Sequence, residues 1–437
     1  MCGILGIVSK NFTDSQIWIN NNLTKIIHRG PDNKGSWKSK DGMVSLGHTR
    51  LSILDLSLNN NQPFHDEESK VCLTFNGEIY NYLDLREQLI KLGHKFRTNG
   101  DTEVLLKSYI QWKADCFSKI EGMFAFCICD ENIKKIFLVR DQYGQKPLYY
   151  KHTNNKFKFG SELQIFLEDT DVKLNKEHLN KYLYFGFVKN NSLIDNLNQV
   201  PPGHFLEFEY DKNKSKIFSF WKMPQNSLVS KADSFEILDL LKDSLIKQLR
   251  SDVPTGFLLS GGIDSSLLVS LSSKISSKKI FTYNVSYNEK DSIIENKNAN
   301  LVAKLNNTNH TNLTIDKFDI KSFFEILGKF GEPIIDSSII PTYSIYNKIK
   351  TECKVVIGGD GGDEIFGGYK YFKYFLIYNF LNSTSKSFLK KIFKHLNYEK
   401  ILYRSGSMYI NLLNSNENII DIPNYFTDSE RIEIFKD

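Results

Sequence analysis

Cys2, which directly follows the initiator methionine, has the clearest chemical potential in this sequence. Its small side chain permits removal of Met1, and residue 2 would then hold a thiol nucleophile and a free α-amine of near-neutral pKa. The amine could accept the proton of the thiol, so that one residue would supply both the nucleophile and the base. Such a nucleophile is useful only beside groups that bind a substrate.

Groups of the required kinds occur in the first quarter of the chain. Arg50 has the forked guanidinium that binds an α-carboxylate through two hydrogen bonds, and Asp101 could pair with an α-ammonium group. Asn76 lies next to the flexible backbone N–H of Gly77, and two such donors suit an oxyanion hole. Taken singly, Arg50 fits a surface ion pair equally well and Asn76–Gly77 fits a turn. Taken together, they predict a site for an amino acid whose side-chain carbonyl is attacked by a thiol.

A second kind of chemistry is indicated by SGGIDSS, residues 260–266, between the apolar residues GFLL and the helical pattern LLVSL. A strand, a glycine-rich turn and a helix present backbone N–H groups to an anion, and Ser260, Ser265 and Ser266 add hydroxyl donors. The lysine of GxxxxGK[ST] loops is lacking, so the segment differs from loops that support γ-phosphate cleavage. The alternative interpretation is a glycine-rich turn that only caps a helix.

The segment GGDGGDEIFGGY, residues 358–369, follows another apolar run, KVVI. Its glycines allow a ligand to approach the backbone closely, while Asp360, Asp363 and Glu364 bring three carboxylates together. Carboxylates at this density repel one another unless a cation is bound. If the two apolar runs end as parallel strands, Asp264 and Asp363 could share Mg²⁺ with the phosphates of ATP.

The elements that must position these residues differ between the two halves of the chain. In residues 1–210, strand patterns come in consecutive pairs, which predicts antiparallel sheets flanked by helices. Beyond residue 233, strand and helix patterns alternate, which predicts a parallel sheet with its ligand at the carboxyl ends of the strands. The polar stretch 211–233 is typical of a linker. We therefore expect one domain at residues 2–210 and a second at residues 234–437.

Composition excludes several classes of protein. The 437 residues are 41% hydrophobic and 13% aromatic, which rules out a disordered or fibrous chain. Lys and Arg number 56 against 51 Asp and Glu, but only eight are arginine and the basic residues are scattered, so no nucleic-acid partner is expected. No apolar run approaches the roughly 18 residues of a membrane span, and the start lacks the pattern of a secretory signal. We expect a cytoplasmic protein with no membrane partner.

Five segments together resemble the glutaminase domain of class II glutamine amidotransferases: MCGILGI, HRGPD, RLSILD, FNGEIYN and RDQYGQKPLYY. The resemblance runs over nearly all of residues 2–205 and implies an α+β fold of the N-terminal-nucleophile (Ntn) hydrolase type, an αββα sandwich. It implies Cys2 as the nucleophile and Asn76 with Gly77 as the oxyanion hole. The glutamine-binding residues that it implies are Arg50, Leu51, Ser52, Ile53, Leu54, Asn76, Gly77, Glu78 and Asp101.

SGGIDSS resembles the pyrophosphate loop of ATP pyrophosphatases, whose domain is an α/β fold with a parallel sheet, similar to adenine nucleotide alpha hydrolases. The two halves together resemble the glutamine-hydrolysing asparagine synthetase family. That resemblance implies ATP and Mg²⁺ as cofactors, Asp264 and Asp363 as metal ligands, and Asp360 as a catalytic carboxylate. The ATP-binding residues that it implies are Leu258, Ser260, Gly261, Gly262, Asp264, Ser265, Ser266, Val285, Gly358 and Gly359.

The chain departs from the family pattern at two places. Family members commonly have Ser-Gly-Glu where this chain has Gly358-Gly359-Asp360, so its carboxylate is one methylene shorter. Relatives also continue into a helical region with an Arg-Met-Ser-rich segment and a phosphate-contacting lysine, and no counterpart is evident before Asp437. We therefore expect either a truncated second domain or an impaired one.

The activity that the resemblance implies is ATP-dependent amidation of L-aspartate to L-asparagine with ammonia from glutamine. The route runs through a β-aspartyl-adenylate and releases glutamate, AMP and pyrophosphate. Two alternatives stay open: an amidotransferase for another carboxylate acceptor, and a glutaminase or regulatory protein with an inactive second half. The oligomeric state is also open, with a homodimer as one option.

Overall fold

The computed structural model describes residues 1–153, 156–169, 172–224, 233–276, 279–286, 290–314, 320–336, 338–369, 372, 425–426 and 428–435. The segment after Tyr369, on which the expectation of an incomplete second domain depends, lies almost entirely outside these ranges. Within them, no helix combines the length and the apolar character needed to cross a membrane.

The first half contains the consecutive strands and the flanking helices that its sequence predicts. Its strands are β1 (Gly3–Ser9), β2 (Asn33–Lys38), β3 (Val44–Arg50), β4 (Phe64–Asp66), β5 (Val71–Ile79), β6 (Gly122–Asp130), β7 (Lys135–Arg140), β8 (Tyr149–His152), β9 (Lys156–Gly160), β10 (Leu197–Gln199), β11 (His204–Glu209) and β12 (Lys214–Ser219). Its helices are α1 (Phe12–Lys25), α2 (Tyr82–Lys91), α3 (Asp101–Trp112) and α4 (Lys176–Phe185).

Two antiparallel sheets of six strands form the middle layers of this half. Their strand orders are β10-β8-β9-β1-β3-β2 and β12-β11-β7-β6-β5-β4. One hydrophobic cluster, with Leu46 and Cys127, lies between the sheets. A second cluster, with Ile19, packs α1 on the first sheet, and a third, with Leu89 and Leu105, packs α2 and α3 on the second. The four layers confirm the predicted αββα sandwich.

Strand β6 contacts a different hydrophobic cluster on each face of its sheet. Successive side chains of a strand point to opposite faces. Phe124, Phe126 and Ile128 therefore join the cluster beneath α2 and α3, while Cys127 and Cys129 face the other sheet. Both faces are buried, which explains the unbroken apolar run MFAFCIC. All six cysteines lie in the described residues as free thiols.

Residues 211–233, which the sequence predicts to be a linker, include a strand near their start. β12 lies inside residues 211–233 and pairs antiparallel with β11, with Leu206 opposite Ile217. It is the edge of its sheet and is mostly exposed, so its Lys and Ser residues suit a strand that has only one neighbour. Residues 214–219 therefore belong to the sheet and not to a linker.

The second half alternates strands and helices as predicted. Its strands are β13 (Thr255–Leu258), β14 (Phe281–Ser286), β15 (Asn309–Thr314) and β16 (Val355–Ile357). Its helices are α5 (Ser234–Gln248), α6 (Ile263–Ile275), α7 (Lys290–Leu305), α8 (Ile320–Phe330), α9 (Ile339–Ile349), α10 (Gly362–Phe366) and α11 (Asp428–Ile434).

These four strands form a parallel sheet in the order β15-β14-β13-β16. Because β13 and β16 are neighbours, the loops at their carboxyl ends come together at one edge of the sheet. Those loops are the two glycine-rich segments that begin at Ser260 and Gly358.

Candidate active site

Cys2 lines a cavity of about 490 Å³ that is formed mostly by residues of the first half. Gly3 pairs with Thr49 across β1 and β3, so Cys2 comes to lie beside the residues that follow β3. The backbone N–H of Leu51 donates a hydrogen bond to Cys2 Sγ at 3.4 Å, and Arg29 Nε donates to the carbonyl of Cys2 at 2.9 Å. One contact therefore holds the thiol and the other holds the backbone of Cys2.

Burial sets the protonation state of both groups that the nucleophile would use. It raises the pKa of the Cys2 thiol, although the amino terminus and the Leu51 N–H oppose this rise. Burial is the main reason why the pKa of the amino group of Met1 falls to about 6; Cys2 opposes this shift, while Arg29 and Lys146 contribute to it. The amino group of Met1 is therefore mostly neutral at pH 7, the form in which an amine can accept a proton.

Asn76 lies on β5 with both polar atoms of its side chain buried and without a hydrogen-bond partner among the described residues. An unpaired buried amide costs about 1–3 kcal/mol, so the orphaned donor and acceptor indicate a place for a ligand. The next residue must be glycine, because a Cβ at Gly77 would collide with the carbonyl of Met123 and approach Phe124 Cα to 2.7 Å.

Arg50 ends β3 and is only 4% exposed. Its Nη1 donates to Ser57 O and to Asn61 Oδ1, each at 2.8 Å, and its Nη2 donates to the carbonyls of Asp55 and, at 3.5 Å, Leu54. The loop thereby fixes the plane of the guanidinium. Among the described residues, Nε is the guanidinium nitrogen that makes no hydrogen bond, and the long bond from Nη2 to Leu54 O is the weakest, so a carboxylate could bind Nε and replace that weak bond at Nη2.

Asp101 and Glu78 add two carboxyl groups to the same cavity. Burial raises the pKa of Asp101 to about 6, although the Ile79 N–H, which donates to Asp101 Oδ2 at 3.0 Å, opposes the rise. Burial and then Asp101 raise the pKa of Glu78 to about 7, while Lys146 opposes this shift. Two adjacent carboxyl groups that ionise near neutrality suit a cationic ligand such as an ammonium group.

The structure brings together nearly all of the residues that the sequence predicts for glutamine. Ser52 is the exception, because it is absent from the residues lining the cavity and its N–H donates to Asp32 Oδ2 at 2.8 Å. The predicted residues that line the cavity are Cys2, Arg50, Leu51, Ile53, Leu54, Asn76, Gly77, Glu78 and Asp101.

Sequence reasoning missed Lys146, whose side chain lines this cavity although the residue is only 7% exposed. Its N–H donates to Asp141 Oδ2 at 3.0 Å and its carbonyl accepts from Arg140 Nε at 2.9 Å, so two buried charged side chains fix its backbone. Its Nζ lies 3.4 Å from Met1 Sδ. The available signal was its position in RDQYGQKPLYY, but nothing local distinguishes it from the many other lysines.

A second cavity, of about 260 Å³, lies at the carboxyl ends of β13 and β16. Ser260 Oγ and Ser265 Oγ are 3.1 Å apart, and Gly262 N–H donates to Ser260 Oγ at 3.3 Å. Gly261 has φ +80°, a conformation that favours glycine. The predicted residues that line this cavity are Leu258, Ser260, Gly262, Asp264, Ser265, Gly358, Gly359 and Asp360.

Four residues predicted for ATP or metal, Gly261, Ser266, Val285 and Asp363, do not line this cavity. Asp363 packs against Gly368 instead, although its neighbour Gly362 lies against the Asp264 carboxyl group. Within the described residues, no three His, Cys, Asp or Glu side chains converge on a metal site. Asp264 and Asp360 are the two carboxylates on the cavity, and Mg²⁺ at a nucleotide commonly uses one or two protein carboxylates with phosphates and waters.

The two cavities are lined by residues that are close to each other along the chain. Val355 and Val356 of β16, with Tyr346 of α9, line the first cavity, and Gly358, Gly359 and Asp360 line the second. Three residues separate Val356 from Asp360, so the two Cα atoms are at most roughly 14 Å apart. Strand β16 therefore lines the cavity that holds Cys2, and the glycine-rich loop that follows β16 lines the second cavity.

The stacked antiparallel sheets with Cys2 at their first strand define an Ntn-type amidotransferase domain, and the parallel sheet with its glycine-rich loops is of the ATP-pyrophosphatase type. Residues 1–221 match the glutamine amidotransferase domain family, and residues 236–406 match the asparagine synthase family. The chain belongs to the glutamine-hydrolysing asparagine synthetase family.

Three relatives illustrate this membership. The chain is 34% identical over 381 residues to asparagine synthetase [glutamine-hydrolyzing] 1 of Bacillus subtilis, covering 85% of this chain and 60% of that protein. It is 33% identical over 429 residues to putative asparagine synthetase [glutamine-hydrolyzing] 2 of Methanocaldococcus jannaschii, covering 91% and 79%. It is 31% identical over 376 residues to amidase chry2 of Gibberella zeae, covering 80% and 55%. The chain thus spans only about 60% of the length of the first of these relatives.

Among solved structures, a glutamine phosphoribosylpyrophosphate amidotransferase from B. subtilis matches with a TM-score of 0.40 and 15% identity, covering 82% of this chain and 90% of that one.

Proposed function

We propose that this protein hydrolyses glutamine at Cys2 and uses the ammonia to amidate aspartate, which ATP activates in the second half. The observation that carries the proposal is the orphaned, buried amide of Asn76 in the cavity that also holds Cys2, Arg50 and Asp101. The names of the relatives add asparagine synthesis to this glutaminase chemistry.

In the first half, the Cys2 thiol attacks the side-chain carbonyl carbon of glutamine and its proton passes to the amine that Met1 removal exposes. Asn76 Nδ2–H and Gly77 N–H donate to the oxyanion that forms. Collapse of this intermediate breaks the C–N bond, ammonia leaves with the proton from the amine, and water hydrolyses the remaining thioester to glutamate. Arg50 binds the α-carboxylate of glutamine, and Asp101 with Glu78 binds its ammonium group.

In the second half, an oxygen of aspartate's side-chain carboxylate attacks the α-phosphorus of ATP, and pyrophosphate leaves. The N–H groups of the loop at residues 260–262 and the hydroxyls of Ser260 and Ser265 would exchange hydrogen bonds within the loop for bonds to the pyrophosphate portion. Mg²⁺, held by Asp264 and Asp360, would neutralise phosphate charge there. Ammonia then attacks the acyl carbon, and AMP leaves as asparagine forms.

Ammonia must reach the second site unprotonated, because ammonium is not a nucleophile. Residues of β16 line the first cavity and the loop after β16 lines the second, and this proximity supports a direct route between them. Exclusion of water along such a route would keep ammonia neutral.

The test is to incubate the 437-residue chain with glutamine, Mg·ATP and aspartate, and to measure glutamate, asparagine, AMP and pyrophosphate. Omission of aspartate should stop pyrophosphate release and leave glutamine hydrolysis in place. If another carboxylic acid, and not aspartate, supports pyrophosphate release, the acceptor in this proposal is wrong. If protein from which Met1 has been removed does not hydrolyse glutamine, the whole proposal is wrong.

A further inference from the structure

A short segment of the second half docks on the loop that orients Arg50. This loop, residues 51–57, follows β3. The N–H of Asp252 donates to Ile53 O at 3.0 Å, and Asp252 Oδ2 accepts the N–H of Asp55 at 2.7 Å. Asp252 therefore holds the loop by a donor and an acceptor at the same time.

Asp55 needs such support because of its backbone conformation. Its φ is +49°, in the left-handed region that residues other than glycine enter at a cost of about 1 kcal/mol or more. Its N–H is held by Asp252, and its carbonyl accepts a hydrogen bond from Arg50 Nη2. One strained residue thus links the second half directly to the guanidinium.

Lys354 provides a second contact across the two halves. Its Nζ lies 2.7 Å from Asp32 Oδ2, which also accepts the N–H of Ser52 at 2.8 Å. The N–H of Asp32 in turn donates to Arg50 O at 3.0 Å. Although partial burial opposes it, the hydrogen bonds from Lys354 and Ser52 hold the pKa of Asp32 below its usual range. Asp32 is therefore ionised at neutral pH and ties the start of the loop to the second half.

We propose that Asp252 and Lys354 are positioning residues for glutamine: they hold loop 51–57 in the conformation that presents Arg50 to the glutamine carboxylate. This inference rests on the proposed glutaminase function. Lys354 also lines the glutamine cavity, whereas Asp252 does not. Neither residue need touch the reacting atoms, so their loss should weaken glutamine binding and leave the chemical step nearly unchanged.

The chain offers a matched control. Lys247 Nζ lies 2.8 Å from Glu121 Oε2, so this ion pair also joins the two halves, but neither residue contacts loop 51–57 or lines the glutamine cavity. The Lys247 variant shows how much glutamine binding changes when any contact between the two halves is lost. The Asp252 and Lys354 variants show the additional effect of losing the contacts to loop 51–57 and to Asp32.

The experiment compares Asp252→Ala, Asp252→Asn, Lys354→Met, Lys354→Arg and Lys247→Met in the 437-residue chain. Glutamine hydrolysis gives kcat and KM, and calorimetric titration with glutamine in a Cys2→Ala background gives Kd without turnover. We expect Asp252→Ala to raise KM and Kd about tenfold, as loss of a charge-assisted hydrogen bond would, with kcat within about twofold. Asp252→Asn keeps an acceptor oxygen, so its KM and Kd should lie between those of the wild type and those of Asp252→Ala.

Lys354→Met should raise KM about two- to threefold, because exposed ion pairs contribute little, and Lys354→Arg should restore the wild-type value. Lys247→Met should change neither KM nor Kd. Unchanged glutamine affinity in Asp252→Ala, or an equal loss in Lys247→Met, overturns the inference. If the wild-type chain binds glutamine without hydrolysing it, the proposed function fails and the Kd ratios alone decide this inference. If it does not bind glutamine, both are overturned.

Discussion

The two cavities present their polar groups in opposite ways. In the first half, Asn76 and Asp101 are almost fully buried, and the amide of Asn76 has no partner within the described residues. In the second half, the loop hydroxyls of Ser260 and Ser265 bond to each other, and Ile263, at the start of α6, is 86% exposed. The first site therefore has a buried amide without a hydrogen-bond partner that a ligand could bond. In the second site the two hydroxyls bond to each other, and the start of the neighbouring helix is exposed to water.

This difference follows from the layers that carry each site. The first cavity is lined from β5 and α3, which are packed between or beneath buried clusters, so its side chains cannot relax toward solvent. The second cavity lies on loops beyond the ends of short strands, where water can replace a lost partner. Substitutions in the first site should therefore have large effects, and those in the second site smaller ones.

The largest effect is expected at the nucleophile. Cys2→Ala should lower glutamine hydrolysis by at least about a thousandfold, because no other group supplies the attacking atom. Amidation with added ammonium chloride should persist, since the thiol serves only ammonia release. Measurement of glutamate formation and ammonia-dependent asparagine formation checks both parts, and substantial hydrolysis by Cys2→Ala would exclude Cys2 as the nucleophile.

The next effect is expected at Asn76. Asn76→Ala should lower kcat for glutamine hydrolysis by about 10²–10³, the usual loss for one oxyanion-hole donor, with a small change in KM. Because it removes a buried amide that lacks a partner, the variant should not be less stable than wild type in urea unfolding. A variant that is destabilised by several kcal/mol but keeps its kcat would show that the amide has a structural role instead.

The second site allows a sharper comparison between two aspartates. Asp264→Asn should weaken Mg·ATP binding about tenfold, because Asp264 lines the cavity and its charge would face the metal and phosphates. Asp363→Asn should change the affinity less than about twofold, because Asp363 packs against Gly368 outside the cavity lining. Calorimetric titration with Mg·ATP measures both, with glutamine hydrolysis as the control. A larger effect at Asp363 would favour the metal pair expected from the sequence.

The smallest effect concerns pH. The pKa of Glu78 is raised to about 7, so this carboxyl group becomes protonated as the pH falls through 7, and glutamine affinity should fall with it. Lys146 holds that pKa down, so Lys146→Met should move the midpoint to higher pH, while Glu78→Gln should abolish it and leave the titration of Asp101 near pH 6.

Calorimetric Kd values between pH 5.5 and 8.5, a range of about 1.5 units on either side of neutrality, would resolve these midpoints. Lys107→Met is the control, because its ion pair with Asp66 lies in the same half but away from the glutamine cavity. An unchanged midpoint in Lys146→Met would mean that Lys146 does not act on Glu78.

Local sequence patterns predicted the elements of both halves well. Paired strand patterns in residues 1–210 predicted the antiparallel sheets, and alternation of strand and helix patterns beyond residue 233 predicted the parallel sheet. Helical and strand periods act over a few residues, so they are readable without knowledge of the fold. The polar edge strand β12 was missed because an exposed strand carries no apolar alternation.

The sequence by itself determined which residues could do chemistry: a thiol at residue 2, a guanidinium at residue 50, and two glycine-rich loops with carboxylates. Only the tertiary structure decided that Lys146 lines the thiol cavity, that Asp360 and not Asp363 lines the second cavity, and that Asp252 and Lys354 hold the loop beside Arg50. The physical reason is distance along the chain. Asp252 lies 197 residues from its partner Asp55 and Lys354 lies 322 residues from Asp32, and contacts of that separation arise from packing, which no local pattern encodes.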